Sequence, residues 1–410
     1  MIESIHIKNF RGIQDGKIDR FSKINLLVGP NNSGKSAVLE AIYFSNTATA
    51  FVDFKDVNKK EYVAQTSSWD LLGHDPIDRI CNKHLKQPTS KSEMLKSWRR
   101  WRNSGFMLDL EDRALEEKCK VGLCVINAER QHKGTLAGTM RVENVLPFTE
   151  DFDLSVNAQF DSLSITLFWE NTLTYYQAHE SSWIIKGLKP AAHKTLFYDV
   201  STSLSHLPFE YFRQMLGKVP GWTHKIANSF ERIIQLKHPF NVTFLQLQHD
   251  ISQTQGFIAP EDKVALTIDD YGDGARSAFK MLTPLTALTE LATEDAPGVF
   301  IWEEPELFQN PRTLGKLLEE IALLIKDKPV QLFIATHSLD VIAQFTALAE
   351  SGQIDSNDLM TFRLNLQEGQ LTSSWFNVDN LKAWLAEGLD PRVWGEFHSP
   401  LQFRFQEDGE

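Results

Sequence analysis

Ile5 and Ile7 alternate with polar neighbours and lead into Phe10, Arg11 and Gly12, a pattern that predicts a strand followed by a turn. Ile24 to Val28 is a short apolar run bounded by turn residues, as expected of a strand buried on both faces. It runs into Gly29–Ser36, GPNNSGKS, after which Ala37, Val38, Leu39, Ala41 and Ile42 continue as a helix. The same grammar returns late in the chain. Val299 to Trp302 predicts a buried strand that ends in Glu303-Glu304-Pro305-Glu306, and the next helix carries Leu314, Leu317, Leu318 and Ile321 on one face. Gln331 to Ala335 is the strand after that, ending at Thr336-His337-Ser338. Short buried strands alternating with helices predict an α/β sheet covered by helices on its faces.

Between these parts the pattern changes. Asp112 to Lys120 reads as a charged helical stretch, whereas 164–168 and 173–176 alternate as strands that would pair across Glu170-Asn171. Trp222, Ile226, Phe230 and Ile234 recur at helical spacing. The expected organisation is a discontinuous core, 1–48 and 257–376, around an inserted α+β region at 49–256. That insert would combine an antiparallel lobe with mainly helical contacts. Near the end, 361–366 and 371–376 flank Glu368-Gly369 as a hairpin. A last helix with Leu381, Trp384 and Leu385 would be capped by Asp379 or Asn380 and stopped by Gly388, within a C-terminal helix and tail at 377–410.

Composition narrows the class. The 410 residues are 42% hydrophobic and 23% charged, which is ordinary globular usage and excludes a low-complexity chain. Lys+Arg 42 against Asp+Glu 54 gives a net charge of −12, the wrong sign for a surface devoted to nucleic acid. Three cysteines, Cys81, Cys119 and Cys124, make neither a disulfide scaffold nor a metal-ligand spacing. No apolar run reaches the roughly 18 residues of a membrane span, and the N-terminus does not read as a signal peptide. A cytoplasmic protein is expected. Lys91 to Arg102 interleaves cations with Trp98 and Trp101; it reads as an amphipathic helix burying Met94, Leu95 and both tryptophans, with phosphate contact by Arg99, Arg100 and Arg102 as the alternative.

The candidate chemistry lies at the ends of the predicted strands. GPNNSGKS fits GxxxxGK[ST], the phosphate-binding loop. Gly29 and Gly34 let the backbone bend so that N–H groups from Gly29, Asn31, Asn32, Ser33, Gly34 and the helix start at Lys35, Ser36 and Ala37 surround an anion, with Pro30 shaping the loop. Lys35 places a cation on the β- and γ-phosphates, and Ser36 offers a hydroxyl to Mg²⁺. Glu303 is the second metal candidate, Glu304 the candidate for polarising the attacking water, and His337 a group within reach of the γ-phosphate. Asp269–Ser277 includes Gly272-Asp273-Gly274 just before a helical stretch, so its N–H groups also face a possible anion.

IKNFRGI (7–13), INLLVGPNNSGKSAVLEAI (24–42), YGDGARS (271–277), IWEEPE (301–306) and ATHS (335–338) together resemble the ABC-type P-loop ATPase head of the RecF, SMC and OLD class. GDG and EEPE are most similar to OLD-like ATPases of bacterial anti-phage systems. The resemblance implies an α/β head with a mixed sheet, ATP and Mg²⁺ as cofactors, and two heads pairing face to face, as a dimer or higher homo-oligomer. Asp273, Gly274 and Arg276 of one chain would then touch the nucleotide held by Lys35 of the other. Gly272 stands where SGG-type signatures have serine and Glu303 where an aspartate is usual, so slow hydrolysis is expected. With about seventy residues after His337, no nuclease module of the OLD type is expected within this chain. The implied role is an ATP-hydrolysing sensor or scaffold that holds a separately encoded effector, without a membrane and with nucleic acid not favoured. The alternatives are a RecF-like DNA repair ATPase and a non-catalytic, ATP-locked module.

Overall fold

A computed structural model describes residues 1–47, 71–72, 194–204, 207–234, 240–246, 253–260, 264–294 and 296–392, and the strand backbones at 106–112, 119–125, 136–142, 152–158, 163–169, 172–179 and 182–186. The Lys91–Arg102 stretch lies outside the described residues.

The chain opens with β1 (Ile2–Phe10), β2 (Ile13–Asp19) and β3 (Ile24–Val28), then α1 (Lys35–Thr47). Seven strands follow: β4 (Phe106–Asp112), β5 (Cys119–Val125), β6 (Leu136–Val142), β7 (Phe152–Ala158), β8 (Leu163–Trp169), β9 (Thr172–His179) and β10 (Ser182–Lys186). β11 (Lys194–Tyr198) precedes α2 (Val200–Leu204), β12 (Leu207–Pro208), α3 (Phe209–Lys218) and α4 (Trp222–Ile234). β13 (Phe240–Gln246), β14 (Gln253–Pro260) and β15 (Leu266–Thr267) lead into α5 (Asp273–Leu291). The remainder is β16 (Gly298–Glu303), α6 (Pro311–Ile325), β17 (Val330–Ala335), α7 (Leu339–Glu350), β18 (Leu359–Gln367), β19 (Gln370–Phe376) and α8 (Val378–Ala386).

Thirteen of these strands form one mixed sheet in the order β10-β9-β8-β5-β4-β1-β2-β19-β18-β3-β17-β16-β11. The run β18-β3-β17-β16-β11 is parallel throughout. Within this run β3 and β17 are buried at every position, as a sheet covered on both faces requires. The other end is an antiparallel ribbon, in which β8 and β9 pair with Trp169 opposite Thr172, the hairpin the alternation predicts. A smaller sheet holds β12, β14, β13 and β15, and among the described residues β6 and β7 form a two-stranded pair.

β11 lies within the 49–256 span yet occupies the edge of the parallel run beside β16. β14 runs across position 257. Among the described residues of 49–256, seven strands lie between 106 and 186, further strands lie at 194–198, 207–208, 240–246 and from 253, and helices lie at 200–204, 209–218 and 222–234. Both ends of the 112–120 stretch are strand, since Asp112 closes β4 and Cys119 opens β5. Cys119 and Lys120 pair across strands with Leu110 and Asp109.

The core lies between the parallel strands and α4 to α7. Trp222, Ile226 and Phe230 are buried along α4, at the helical spacing of the sequence. The Trp222 indole N–H donates to the Thr283 carbonyl and the Thr286 hydroxyl, both at 3.0 Å. It docks on α5 beside Pro284, whose missing N–H interrupts that helix's hydrogen-bond ladder. Phe230 meets Phe279 edge-on at 5.4 Å. At the far end, β18 and β19 form the expected hairpin through Glu368 (φ 49°) and Gly369 (φ 85°), both left-handed as a two-residue hairpin turn demands. Asn377, not Asp379 or Asn380, caps α8: its side chain accepts from the Asn380 N–H at 2.9 Å, and Asn380 reaches back to the Asn377 N–H. The reciprocal pair satisfies two helix-start donors at once.

Candidate nucleotide site

β3, β17 and β16 are neighbours and point the same way, so their C-terminal ends share one edge of the sheet. Ligands bind at such edges in open α/β sheets. β3 feeds the glycine loop, β16 ends at Glu303 opposite Ala335, and β17 ends before His337. Backbone bonds tie the three ends together. Thr336 N–H donates to the Leu27 carbonyl at 3.1 Å, and Glu304 N–H donates to the Ala335 carbonyl at 2.8 Å.

The loop has the conformation its glycines permit. Gly29 sits at φ 138° with its Cα against the β18 backbone, where a Cβ would come within 2.5 Å of the Leu364 carbonyl oxygen. Gly34 is at φ 94°, and Asn32 takes a left-handed φ of 63° between them. Ser33 and Ala37 are buried, Pro30, Gly34 and Ser36 are half-buried, and Asn31 and Asn32 are exposed.

Lys35 is the first residue of α1 and is buried. Its ammonium donates to the carbonyls of Gly29 at 2.9 Å and Pro30 at 2.8 Å, and to Ser33 Oγ at 3.4 Å. Burial pulls its pKa down to about 8, against the opposing pull of the Glu304, Glu303 and Glu306 carboxylates. The glycine loop and the acidic turn are therefore close enough to act on one another. Glu304 is held at φ 53°, uncommon for a residue with a side chain. His337 belongs to the same group of charges: burial first, then Lys35, lowers its pKa, Glu306 opposes, and Arg392 lowers it again. The shift favours the neutral imidazole.

Two residues outside the expected set shape this site. Glu306 accepts the Thr336 hydroxyl at 2.9 Å and the His337 N–H at 2.8 Å, so the acidic turn holds the histidine loop directly. Arg392 donates to the His337 carbonyl. Glu306 was visible in EEPE, but its role depends on a loop thirty-one residues away. Arg392 carries no local signal.

Asp273, Gly274 and Arg276 sit at the start of α5 instead. Gly272 is the helix cap, and Arg276 pairs with Asp273 at 2.7 Å. Gln309, just past the acidic turn, donates to the Gly274 carbonyl at 3.0 Å. Tyr198, at the end of β11, donates to the Ser277 carbonyl at 3.0 Å, and burial raises its pKa to about 12. Asp273 and Gly274 line a cavity of about 610 Å³ with Ile234, Phe308, Arg312 and Lys316. Lys35, Glu303, Glu304 and His337 are not among the residues that line it.

The AAA ATPase domain family matches residues 1–342, most of the chain. The chain belongs to that family. Within it, 86 residues are 52% identical to an ATP/GTP phosphatase of Helicobacter pylori, covering 20% of this chain and 23% of that protein. A stretch of 45 residues is 51% identical to the DNA replication and repair protein RecF of Psychromonas ingrahamii, covering 11% and 12%. The chain thus spans less than a quarter of the length of these curated relatives. Among solved structures, an Smc head bound to the C-winged helix domain of ScpA aligns over 93% of this chain and 99% of its own, at 13% identity and a TM-score of 0.46. The SMC head domain from Thermotoga maritima aligns over 91% and 98%, at 11% identity and a TM-score of 0.38. No helix among the described residues is long and apolar enough to cross a membrane.

Proposed function

We propose that this chain binds and hydrolyses ATP, and that paired heads serve as an ATP-gated scaffold for a separately encoded effector, as the ATPase subunit of a bacterial anti-phage system. The observation that carries the hydrolytic part is the meeting of Lys35, Glu304 and His337 at the ends of three adjacent parallel strands. Lys35 exchanges its bonds to the Gly29 and Pro30 carbonyls for bonds to the β- and γ-phosphate oxygens, aided by the N–H groups of the loop and of the α1 start. Glu304 orients and polarises the attacking water, and neutral His337 contacts the γ-phosphate. Positioning and electrostatics supply the rate, since phosphoryl transfer asks for little covalent chemistry from the protein.

The donor set fits Mg²⁺. Ser36 offers a hydroxyl and Glu303 a carboxylate, both hard oxygen ligands, and among the described residues no cluster of three or more His, Cys, Asp or Glu builds a closed cage. Mg²⁺ is commonly held this way, by one or two protein oxygens and the nucleotide's own phosphates. When bound it neutralises charge that develops on the phosphates.

Asp273 and Gly274 line a cavity at the α5 start whose lining does not include Lys35; contact of Asp273, Gly274 and Arg276 with nucleotide bound by a second copy is part of this reading. The effector and the defence setting rest on the resemblance of GDG and EEPE alone. The test is purification of tagged Glu304→Gln from its native host with ATP and Mg²⁺, with Lys35→Ala as control. A stoichiometric protein partner present only when ATP binds supports the scaffold reading. The RecF segment match favours a second reading, an ATPase acting at DNA. Co-purifying DNA with repair proteins, or turnover stimulated by DNA, would replace the first reading with that one.

A further inference from the structure

The turn that follows α8 reaches back to the histidine loop. α8 is anchored on β19 by Trp384 against Phe376, with ring centroids 4.4 Å apart. Gly388, at φ 68°, reverses the chain, and Leu389 N–H closes onto the Trp384 carbonyl at 2.7 Å. Asp390 then takes three donors from Arg392: the backbone N–H at 2.9 Å, Nε at 2.9 Å and Nη2 at 2.5 Å. The guanidinium is thereby fixed in its plane, and its remaining arm, Nη1, donates to the His337 carbonyl. Glu306 holds the N–H of that same residue. His337 is gripped at both its backbone N–H and its carbonyl, from the acidic turn and from a turn fifty-five residues further along the chain.

We propose that Arg392, oriented by Asp390, is a positioning residue for His337 that fixes where the imidazole meets the γ-phosphate. The proposal rests on the hydrolytic reading above, in which His337 contacts that phosphate. Arg392 does not itself touch nucleotide. Its loss therefore lowers kcat and leaves nucleotide affinity in place. A lysine cannot substitute, because one ammonium cannot hold the Asp390 fork and the His337 carbonyl in the same geometry.

The experiment measures ATP turnover and the Kd of a fluorescent ATP analogue for wild type, Arg392→Ala, Arg392→Lys, Asp390→Asn, His337→Ala and the double variant His337→Ala/Arg392→Ala. Expected for Arg392→Ala is a kcat loss between about tenfold and about 100-fold, the scale of a small misplacement of a reacting group, with Kd within about twofold. Arg392→Lys stays low, Asp390→Asn falls in between, and millimolar guanidinium ion restores part of the Arg392→Ala activity. The double variant is no slower than His337→Ala, the non-additivity expected when one residue acts through the other. Wild-type kcat in Arg392→Ala, or losses that multiply in the double variant, would overturn the proposal. Should Arg392→Ala fail to fold, Asp390→Asn and its double with His337→Ala carry the same test. If His337→Ala itself turns over ATP like wild type, the assignment of His337 to the reaction falls instead, and the proposal falls with it; the single variant tells the two failures apart.

Discussion

The Lys35 ammonium lies 2.9 Å from the carbonyl oxygen of Gly29, so the cation expected to meet phosphate is bonded to its own loop. Its pKa is lowered from 10.5 to about 8. The protonated form is the one that binds phosphate. As pH rises through about 8 the free protein loses that proton, and ATP binding must take it back. ATP affinity is therefore expected to fall with pH above about 8, approaching tenfold per unit. Titration of a fluorescent ATP analogue across this range checks it, and Lys35→Ala should show weak binding, by about 10-fold to 100-fold, without the slope. The stability term has the opposite sign. Between about 8 and 10.5 the unfolded chain holds more protons at this position, so the contribution of Lys35 to unfolding free energy rises with pH.

Glu304, the residue after β16, takes φ 53°, and its N–H donates to the Ala335 carbonyl at 2.8 Å. Glu304→Gln keeps the side-chain shape and removes the basic oxygen. Phosphate release is expected to drop by about 100-fold or more, while ATP stays bound and self-association on ATP persists longer than in wild type. Single-turnover hydrolysis alongside size-exclusion chromatography measures both. Undiminished hydrolysis would remove Glu304 from the reaction.

The phosphate loop was legible because its constraints are local. Gly29 and Gly34 are needed for their own φ angles, and the strand before them and the helix after them are contiguous in sequence. The hairpins at 163–179 and 359–376 were legible for the same reason. What escaped is non-local. KTLFY of β11 is an unremarkable apolar run until it pairs with β16 about a hundred positions later. Asn377 and Asn380 divide the capping work between them, and only geometry says which comes first. The Glu306 and Arg392 bonds to His337 join segments that no sequence period connects.

Arg11, at φ 55° in the turn after β1, forms an ion pair with Glu40 on α1, whose side chain is fully buried. The pair ties the first hairpin to the helix that carries Lys35. Removing one partner of a buried pair leaves the other charge in a poor solvent. Arg11→Ala is expected to cost about 3 kcal/mol, read as a lower urea midpoint with unchanged m. Replacing both residues by apolar ones of similar size should recover much of that loss, since the desolvation penalty then disappears from both sides.

Gly274 is packed where a side chain does not fit. A Cβ there would lie 2.9 Å from the Phe308 carbonyl oxygen and 3.3 Å from Gln309 Oε1. Phe308 is itself held at φ 65°, so the turn 307–309 has little freedom to retreat. Gln309 also donates to the Gly274 carbonyl, which locks the start of α5 to the segment following the acidic turn. Gly274→Ala should push these two apart, at a cost of about 1–3 kcal/mol, the range for overpacking. The atoms a Cβ at Gly274 would meet belong to Phe308 and Gln309, not to Lys35 or its loop, so ATP affinity should stay near wild type. What should suffer is any step that needs α5 presented to a second head: ATP-dependent self-association and turnover. Analytical ultracentrifugation with and without ATP separates the outcomes. If Gly274→Ala associates and hydrolyses like wild type, the start of α5 plays no part in joining two heads, and Asp273 and Arg276 lose their assignment with it.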